Sequence, residues 1–198
     1  AQEVLAKKKE LRPHQAKAIN LLRNSSLDRK TRPILQCPTG GGKTLIAAKI
    51  IQGALDKGNT VAFCVPAISL IDQTVQAFRD EGIQGIGVIQ AGHHLTDYDQ
   101  PVQVCSVQTI ARRIPPEFGL VIVDEAHMQF KAVYKWMERD LSTPFLGLSA
   151  TPWSRGLGKY YDDLLIAATT RELIDAGYLS DYTIYAPASP DLSGVKVT

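Results

Sequence analysis

A glycine-rich segment, residues 37–44, reads Cys-Pro-Thr-Gly-Gly-Gly-Lys-Thr. It follows a short apolar run and precedes an alanine-rich stretch with helical spacing. Glycines let backbone N–H groups converge on phosphate oxygens, and a helix N-terminus adds partial positive charge. Lys43 suits the β- and γ-phosphates, and the Thr44 hydroxyl suits Mg²⁺. The segment therefore predicts a loop that binds the phosphates of a nucleotide, and we refer to residues 37–44 as the phosphate loop.

The phosphate loop departs at one position from the usual pattern G-x-x-x-x-G-K-[ST], because Cys37 stands where the first glycine is expected. An ordinary glycine-rich turn before a helix is the alternative interpretation. A strand before the loop and a helix after it favour phosphate binding. All eight residues are candidates for nucleotide contacts: Cys37, Pro38, Thr39, Gly40, Gly41, Gly42, Lys43 and Thr44.

Two acidic residues, Asp124 and Glu125, directly follow the apolar run of residues 120–123. Hydrolysis of a γ-phosphate depends mostly on positioning the phosphates, a metal ion and a water molecule. Asp124 is placed to hold Mg²⁺, and Glu125 can act as general base toward the water. With Lys43, they form the predicted catalytic set. A strand that ends in a solvated acidic turn is the alternative.

Hydroxyl groups follow another apolar run, in the sequence Ser149-Ala150-Thr151. Ser149 and Thr151 could sense the γ-phosphate, although a plain turn before a proline would look the same. His127 could form a hydrogen bond across a cleft, or it could simply face solvent. His93 and His94 lie in a polar loop without further ligands at metal spacing, so we expect both at the surface.

Composition indicates one globular domain with a full core: of 198 residues, 44% are hydrophobic and 21% charged. No apolar run approaches the ~20 residues of a membrane span. No secretory signal is visible, and three widely spaced cysteines lack a C-x-x-C pattern, so a reducing, cytoplasmic compartment is expected. Residues 1–50 hold eleven Lys/Arg and three Asp/Glu, a basic region that could face nucleic acid or merely solvent.

Apolar runs and helical patterns alternate along the chain. The predicted strands are a run ending at Cys37, then 61–65, 86–89, 102–105, 120–123, 145–148 and 182–185. The predicted helices are 13–24, 43–57, 68–79, 108–113, 131–139 and a last helix capped by Thr169 and Glu172. This alternation predicts a mostly parallel sheet with helices on both faces. Ligands bind such sheets at the carboxyl ends of the strands, where all three polar clusters lie.

The three clusters, in this order and spacing, resemble motifs I, II and III of superfamily-two helicases. They resemble the DEAH-box branch, whose first RecA-like domain is shared with restriction-enzyme translocating subunits. The resemblance covers residues 11–185 and implies an α/β, RecA-like P-loop NTPase domain that uses ATP and Mg²⁺. Thr44 and Asp124 would then be the metal ligands, and His127, Ser149 and Thr151 would couple hydrolysis to motion.

The resemblance assigns further residues. Arg12 and Gln15 fall in the adenine-reading segment of the family. Pro66 and Ala67 match its motif Ia, and Ser106 and Thr109 match motif Ib, which both face the nucleic-acid backbone. Residues 1–10 would be a lead-in, and 186–198 a linker toward a second RecA-like domain that these residues do not contain.

The sequence thus predicts the ATP-binding domain of a nucleic-acid-dependent helicase or translocase, with DNA favoured over RNA and no membrane partner. Because the family's arginine fingers lie in the second domain, the fragment is expected to hydrolyse ATP weakly and not to unwind. A nucleotide-binding interaction module without motor activity is the alternative. A small-molecule P-loop kinase or hydrolase is disfavoured, since no lid-like arginine cluster follows the phosphate loop.

Overall fold

The computed structural model describes residues 10–27, 32–113 and 115–183. Within them, seven strands form one sheet in the order β3-β4-β2-β5-β6-β1-β7, and every neighbouring pair is parallel. The strands are β1 Pro33–Gln36, β2 Val61–Val65, β3 Ile86–Ile89, β4 Val102–Ser106, β5 Leu120–Val123, β6 Phe145–Ser149 and β7 Asp163–Ile166. The helices are α1 Pro13–Leu27, α2 Lys43–Leu55, α3 Ile71–Asp80, α4 Val107–Ile110, α5 Lys131–Arg139 and α6 Thr170–Asp175. The predicted α/β architecture is confirmed.

Two apolar layers cover the two faces of the sheet, because successive side chains of a strand point to opposite faces. On the central strand β5, Ile122 packs into the layer that includes residues of α1, α2 and α3. Its neighbours Val121 and Val123 pack into the layer of α4 and α5. A strand buried on both faces reads as a continuous apolar run, which is why its sequence predicts it so clearly.

Several predicted boundaries are wrong by a few residues, and one strand was missed. Helix α1 continues past Asn24 to Leu27, where Ser25 is buried and its Oγ donates to Asp163 Oδ2 at 3.1 Å. The strand β7 lies at the edge of the sheet against β1, with Leu164 and Ile166 more than a third exposed. Its short, half-exposed sequence lacks the apolar run that marks the inner strands.

The helix predicted from residue 68 begins as a 3-10 turn, Ile68–Leu70, before α3, and Leu70 is exposed. The capping box of Thr169 and Glu172 is confirmed at the start of α6. Of the strand predicted over 182–185, Tyr182 and Thr183 have no regular structure, and residues 184–185 lie outside the described residues. Among the helices of the described ranges, none has the length and apolar character to cross a bilayer.

We predict that Ile122→Ala lowers the free energy of unfolding by about 2–5 kcal/mol, because it leaves a cavity beneath the central strand. Ile122 is fully buried. Urea denaturation of the 198-residue chain measures the effect. The matched control is Leu141→Ala, since Leu141 is 75% exposed and should cost less than about 0.5 kcal/mol. Equal losses in the two variants would contradict the assignment of this core.

Candidate functional site

The three polar clusters follow adjacent strands at one edge of the sheet. The phosphate loop follows β1, residues 124–127 follow β5, and Ser149 ends β6, which lies between these two strands. The Cys37 N–H donates to the Ser149 carbonyl at 3.0 Å, which extends the β1–β6 pairing into the loop. Parallel strands therefore bring the clusters together, as the sequence predicts.

The phosphate loop turns sharply at its glycines. Gly40 and Gly42 have φ values of +78° and +86°, which favour glycine, and Lys43 begins α2. The Gly41 N–H donates to the Pro38 carbonyl at 2.9 Å. Cys37 is not among the described residues with positive φ, so this position does not need a glycine. Burial raises the pKa of its thiol to about 11, so Cys37 packs beneath the loop as a neutral side chain.

The start of α1 holds the phosphate loop in place. Gln15 Nε2 donates to the Gly41 carbonyl at 3.2 Å, while Gln15 Oε1 accepts from the Arg12 N–H at 2.9 Å. The His14 ring donates from Nε2 to the same Gly41 carbonyl at 2.8 Å. A side chain on Gly42 would clash with the Gln15 amide. His14 was not among the predicted site residues. Its position next to Gln15 is the only feature of the sequence that could have pointed to it.

A cavity of about 510 Å³ opens beside the phosphate loop, with Arg12, Gln15, Gly42 and Thr44 among its lining residues. Its volume falls in the range of ligand pockets. The Arg12 guanidinium lies 4.8 Å from the centre of the Tyr178 ring, so the ring fixes the position of this cation at the rim. The two residues assigned to adenine by resemblance therefore line the same cavity as the phosphate loop.

An ion pair joins the phosphate loop to the acidic turn. Lys43 Nζ donates to Glu125 Oε1 at 2.7 Å, and the two side chains are 16% and 31% exposed. Glu125 has a φ of +48°, an uncommon conformation for a residue with a side chain. Such backbone strain is typical of functional sites, where it aims a side chain that the chain direction would otherwise send elsewhere.

Polar contacts continue from Glu125 to the end of β6. His127 Nδ1 lies 3.4 Å from Glu125 Oε2 and 3.0 Å from Ser149 Oγ. Ser149 Oγ also accepts from the Thr151 N–H at 3.0 Å. Lys43, Glu125, His127, Ser149 and Thr151 therefore form one connected set, which we call the site network. It links the residues predicted for catalysis to those predicted for coupling.

Asp124 is half-buried beside the site network. Burial raises the pKa of its carboxyl, and the charge of Lys43 offsets only part of that effect. Its Oδ1 accepts from the Glu125 N–H at 3.0 Å. A half-buried carboxylate gains from a nearby cation, and oxygen donors are what Mg²⁺ prefers. Asp124 and the exposed hydroxyl residue Thr44 thus have the chemistry of a magnesium site.

The candidate nucleic-acid residues lie at the same edge, beyond β5. Strands β2 and β4 are neighbours, and Val65 is the register partner of Ser106. Pro66 and Ala67 are half-buried. Ser106 is fully buried, however, and its Oγ caps α4 by accepting from the Thr109 N–H at 3.2 Å. The expectation that Ser106 itself faces nucleic acid is therefore not met, because its hydroxyl is committed to the helix cap.

The two loop histidines differ from each other. His94 is exposed, as predicted, but the His93 side chain is only 9% exposed and its Nε2 lies 3.0 Å from Asp72 Oδ1. His93 Nδ1 accepts from the Leu95 N–H at 3.1 Å, so the neutral ring carries its proton on Nε2 and donates it to Asp72. The surface prediction is wrong for His93, whose two nitrogens are both used to hold the loop.

Known proteins are similar to this chain in sequence. The model of the family described as the Type III restriction enzyme, res subunit (ResIII) matches residues 8–154. The chain belongs to this family. Together with the parallel fold, this identifies the first RecA-like domain of a superfamily-two helicase, an ATP-binding domain.

Individual relatives agree with this assignment. The chain is 32% identical over 152 residues to a protein from Sulfurisphaera tokodaii named DNA 3'-5' translocase XPB2, covering 76% of this chain and 33% of that protein. It is 29% identical over 173 residues to a 51.5 kDa protein of a Lactococcus phage (isolate 7-9), covering 83% of this chain and 34% of that protein. The chain thus spans about one third of the length of these relatives.

A solved structure shares the fold. The UvsW helicase from bacteriophage T4 superposes with a TM-score of 0.67 at 22% identity, covering 80% of this chain and 60% of that one. At this identity, the likeness shows the fold and does not by itself transfer substrates or partners.

We predict that the stability of Asp124→Asn relative to the wild type is greater at neutral pH than at acid pH. The free energy of unfolding of both chains is measured by urea denaturation in EDTA, from about pH 3 to 7. A carboxyl whose folded pKa is raised contributes its full stability below the unfolded pKa and loses it as pH rises through the folded pKa. The difference in free energy of unfolding, variant minus wild type, should therefore increase with pH.

The control is Asp140→Asn, for which we expect the stability difference from the wild type to change with pH in the opposite direction. Partial burial raises the pKa of Asp140, but hydrogen bonds from Thr143 and Ser142 outweigh it and lower the pKa overall. Its contribution is present above the unfolded pKa and lost as pH falls, so the difference should decrease with pH. A flat or falling profile for Asp124→Asn would contradict the raised pKa.

Proposed function

We propose that this domain binds and hydrolyses ATP as one half of a nucleic-acid-dependent motor, and that a second RecA-like domain completes the cleft. The observation that carries the proposal is the site network, which connects the phosphate loop to the acidic turn and to the end of β6. A structural turn would not need a half-buried lysine, a strained glutamate and a histidine in one connected set.

The binding step rests on the phosphate loop and the cavity beside it. Backbone N–H groups at the start of α2 and the Lys43 ammonium would hold the β- and γ-phosphates. Arg12 and Gln15 would face the base from the same cavity. Because Gln15 also bonds to the Gly41 carbonyl, the presence of the base and the shape of the phosphate loop would be coupled directly.

Thr44 and Asp124 would hold Mg²⁺, which supplies positive charge to the phosphate oxygens when it is bound. The donor set fits, since both side chains offer oxygen and Asp124 lies in a half-buried position that disfavours its unpaired charge. We also propose the DEAH-box subtype for the acidic turn, on the sequence of residues 124–127.

The hydrolysis step would use Glu125 as general base toward the attacking water. Without a nucleotide, Glu125 Oε1 is held by Lys43. A γ-phosphate offers Lys43 a stronger anionic partner, so binding would release the Glu125 carboxylate for the water. His127 would sense this rearrangement through its contact with Glu125. Ser149 would sense it through its hydrogen bond to His127, and Thr151 through its hydrogen bond to Ser149.

The partner proposed for this domain is nucleic acid, with DNA favoured over RNA because the relative of 32% identity is named a DNA translocase. Pro66, Ala67 and Thr109 would contact its backbone at the β2–β4 edge. The three cysteines are free and buried, which supports a reducing, cytoplasmic compartment. Since arginine fingers are worth about 10³ to 10⁵ in turnover, the isolated chain should hydrolyse ATP slowly.

We predict that Lys43→Ala weakens binding of a fluorescent ATP analogue roughly ten- to hundredfold, because a charged hydrogen bond to phosphate is lost.

Glu125→Gln should bind the analogue at least as tightly as the wild type does, since the substitution removes an anion and frees Lys43. It should lower single-turnover hydrolysis by roughly 10²- to 10⁴-fold. Lys57→Ala removes an exposed lysine as control. Unchanged binding in Lys43→Ala, or unchanged hydrolysis in Glu125→Gln, would contradict these roles.

A second test uses a protein in which this domain is joined to a second RecA-like domain, as the proposal requires. Steady-state ATPase activity is measured with no polymer, with DNA and with RNA. The motor proposal predicts stimulation by nucleic acid, and the DNA preference predicts that DNA is the better activator. Nucleotide binding without stimulation by either polymer would instead support an interaction module.

A further inference from the structure

A basic groove of about 370 Å³ lies outside the nucleotide site, between α5 and the turn that follows α4. Five Lys and Arg residues line it and no Asp or Glu does: Arg112, Arg113, Lys131, Lys135 and Arg139. Its floor includes the buried ring of Trp136, which packs edge-on against Phe145 of the sheet. A rigid apolar floor beneath a basic rim is a shape that can hold an anionic ligand.

The charges of this groove have no acidic partner among the residues that the structure describes. Within residues 10–27, 32–113 and 115–183, none of the five basic side chains forms an ion pair, and all five residues are exposed. Arg113 Nη1 donates to an uncharged partner, the Tyr98 hydroxyl, at 3.1 Å. Clustered like charges repel one another, and an anion in the groove would relieve that repulsion. The whole chain carries a formal charge of only +2, so this concentration is local.

The spacing of the charges favours a polymer over a small anion. Lys131, Lys135 and Arg139 recur every four residues on α5, so they lie along one side of the helix at steps of about 6 Å. The row is therefore about 12 Å long, and one phosphate cannot contact all of it. A nucleic-acid backbone carries a charge about every 3.4 Å per strand and could contact the whole row.

The position of the groove points to nucleic acid rather than an acidic protein. Residues 110–113 continue directly from Thr109, which is the candidate contact at the β2–β4 edge. Helices α4 and α5 pack together, and each begins soon after its strand ends, so the groove starts at the same edge of the sheet. Tyr98 is 48% exposed beside Arg113, where its ring could stack on a base.

We propose that the α4–α5 groove binds the phosphodiester backbone of the nucleic acid that runs from the β2–β4 edge. This inference rests on the proposed function, and it adds a binding surface on α5 that lies outside the family motifs identified in the sequence. The groove would lengthen the contact of this domain with the strand by the three charges of α5.

The test compares two triple variants of the 198-residue chain with equal charge. The groove variant is Lys131→Gln, Lys135→Gln and Arg139→Gln. The control variant, Lys57→Gln, Arg79→Gln and Lys159→Gln, removes the same residue types from exposed positions that do not line the groove. Binding to a 20-nucleotide oligothymidylate and to a 20-base-pair DNA duplex is measured by fluorescence anisotropy over a salt series, and circular dichroism checks the fold.

We expect the groove variant to bind at least tenfold more weakly at low salt than the control variant. The slope of log affinity against log salt should fall by about 2 to 3, because each lost phosphate contact contributes about 0.7 for single strands and 0.9 for duplexes. Whichever of the two, the oligothymidylate or the duplex, shows the larger loss of affinity in the groove variant is the form of nucleic acid that the groove binds. In the wild type, bound oligonucleotide should protect Lys131 and Lys135, but not Lys57, from acetylation.

Two results overturn the inference in distinguishable ways. If the wild-type chain binds neither nucleic acid at low salt, the proposed function fails and this inference fails with it. If the wild type binds but the groove and control variants are indistinguishable in affinity, salt slope and acetylation, the groove proposal alone fails. The α4–α5 groove would then bind a partner other than nucleic acid.

Discussion

The Lys43–Glu125 ion pair is the contact on which the candidate site depends, because it joins two loops that are 82 residues apart in sequence. Its side chains are partly exposed, so the pair contributes little to folding stability. The pair matters because it holds the phosphate loop next to the acidic turn. It exists only because the sheet places β1 and β5 on either side of β6, with all three carboxyl ends at one edge.

The order of the strands divides this edge into two regions. The phosphate loop, the acidic turn and Ser149 follow β1, β5 and β6, whereas the candidate nucleic-acid residues follow β2 and β4. Within the first group, strand β5 is the one that pairs with β2 of the second group, and its turn carries the strained Glu125. A change in the bonds of Glu125 would therefore occur where the two regions meet, which is the position that coupling between ATP and nucleic acid requires.

Much of this architecture could be predicted from sequence, because inner parallel strands are apolar throughout and polar clusters mark their ends. Residues 61–65, 86–89 and 120–123 were predicted with the observed bounds. The edge strand β7 could not be recognised in the same way, since Leu164 and Ile166 are partly exposed. The bonds from His14 and Gln15 to the Gly41 carbonyl span more than 25 residues and leave no local pattern. Burial of Ser106 is likewise a consequence of packing, which its motif does not reveal.

The most direct measurement is a crystal structure of the chain with Mg²⁺ and a non-hydrolysable ATP analogue. We predict that Lys43 Nζ leaves Glu125 and contacts the γ-phosphate, that Thr44 and Asp124 face the metal, and that the base lies between Arg12 and the phosphate loop. An analogue bound away from the phosphate loop, or Lys43 and Asp124 directed into separate clefts, would contradict this prediction.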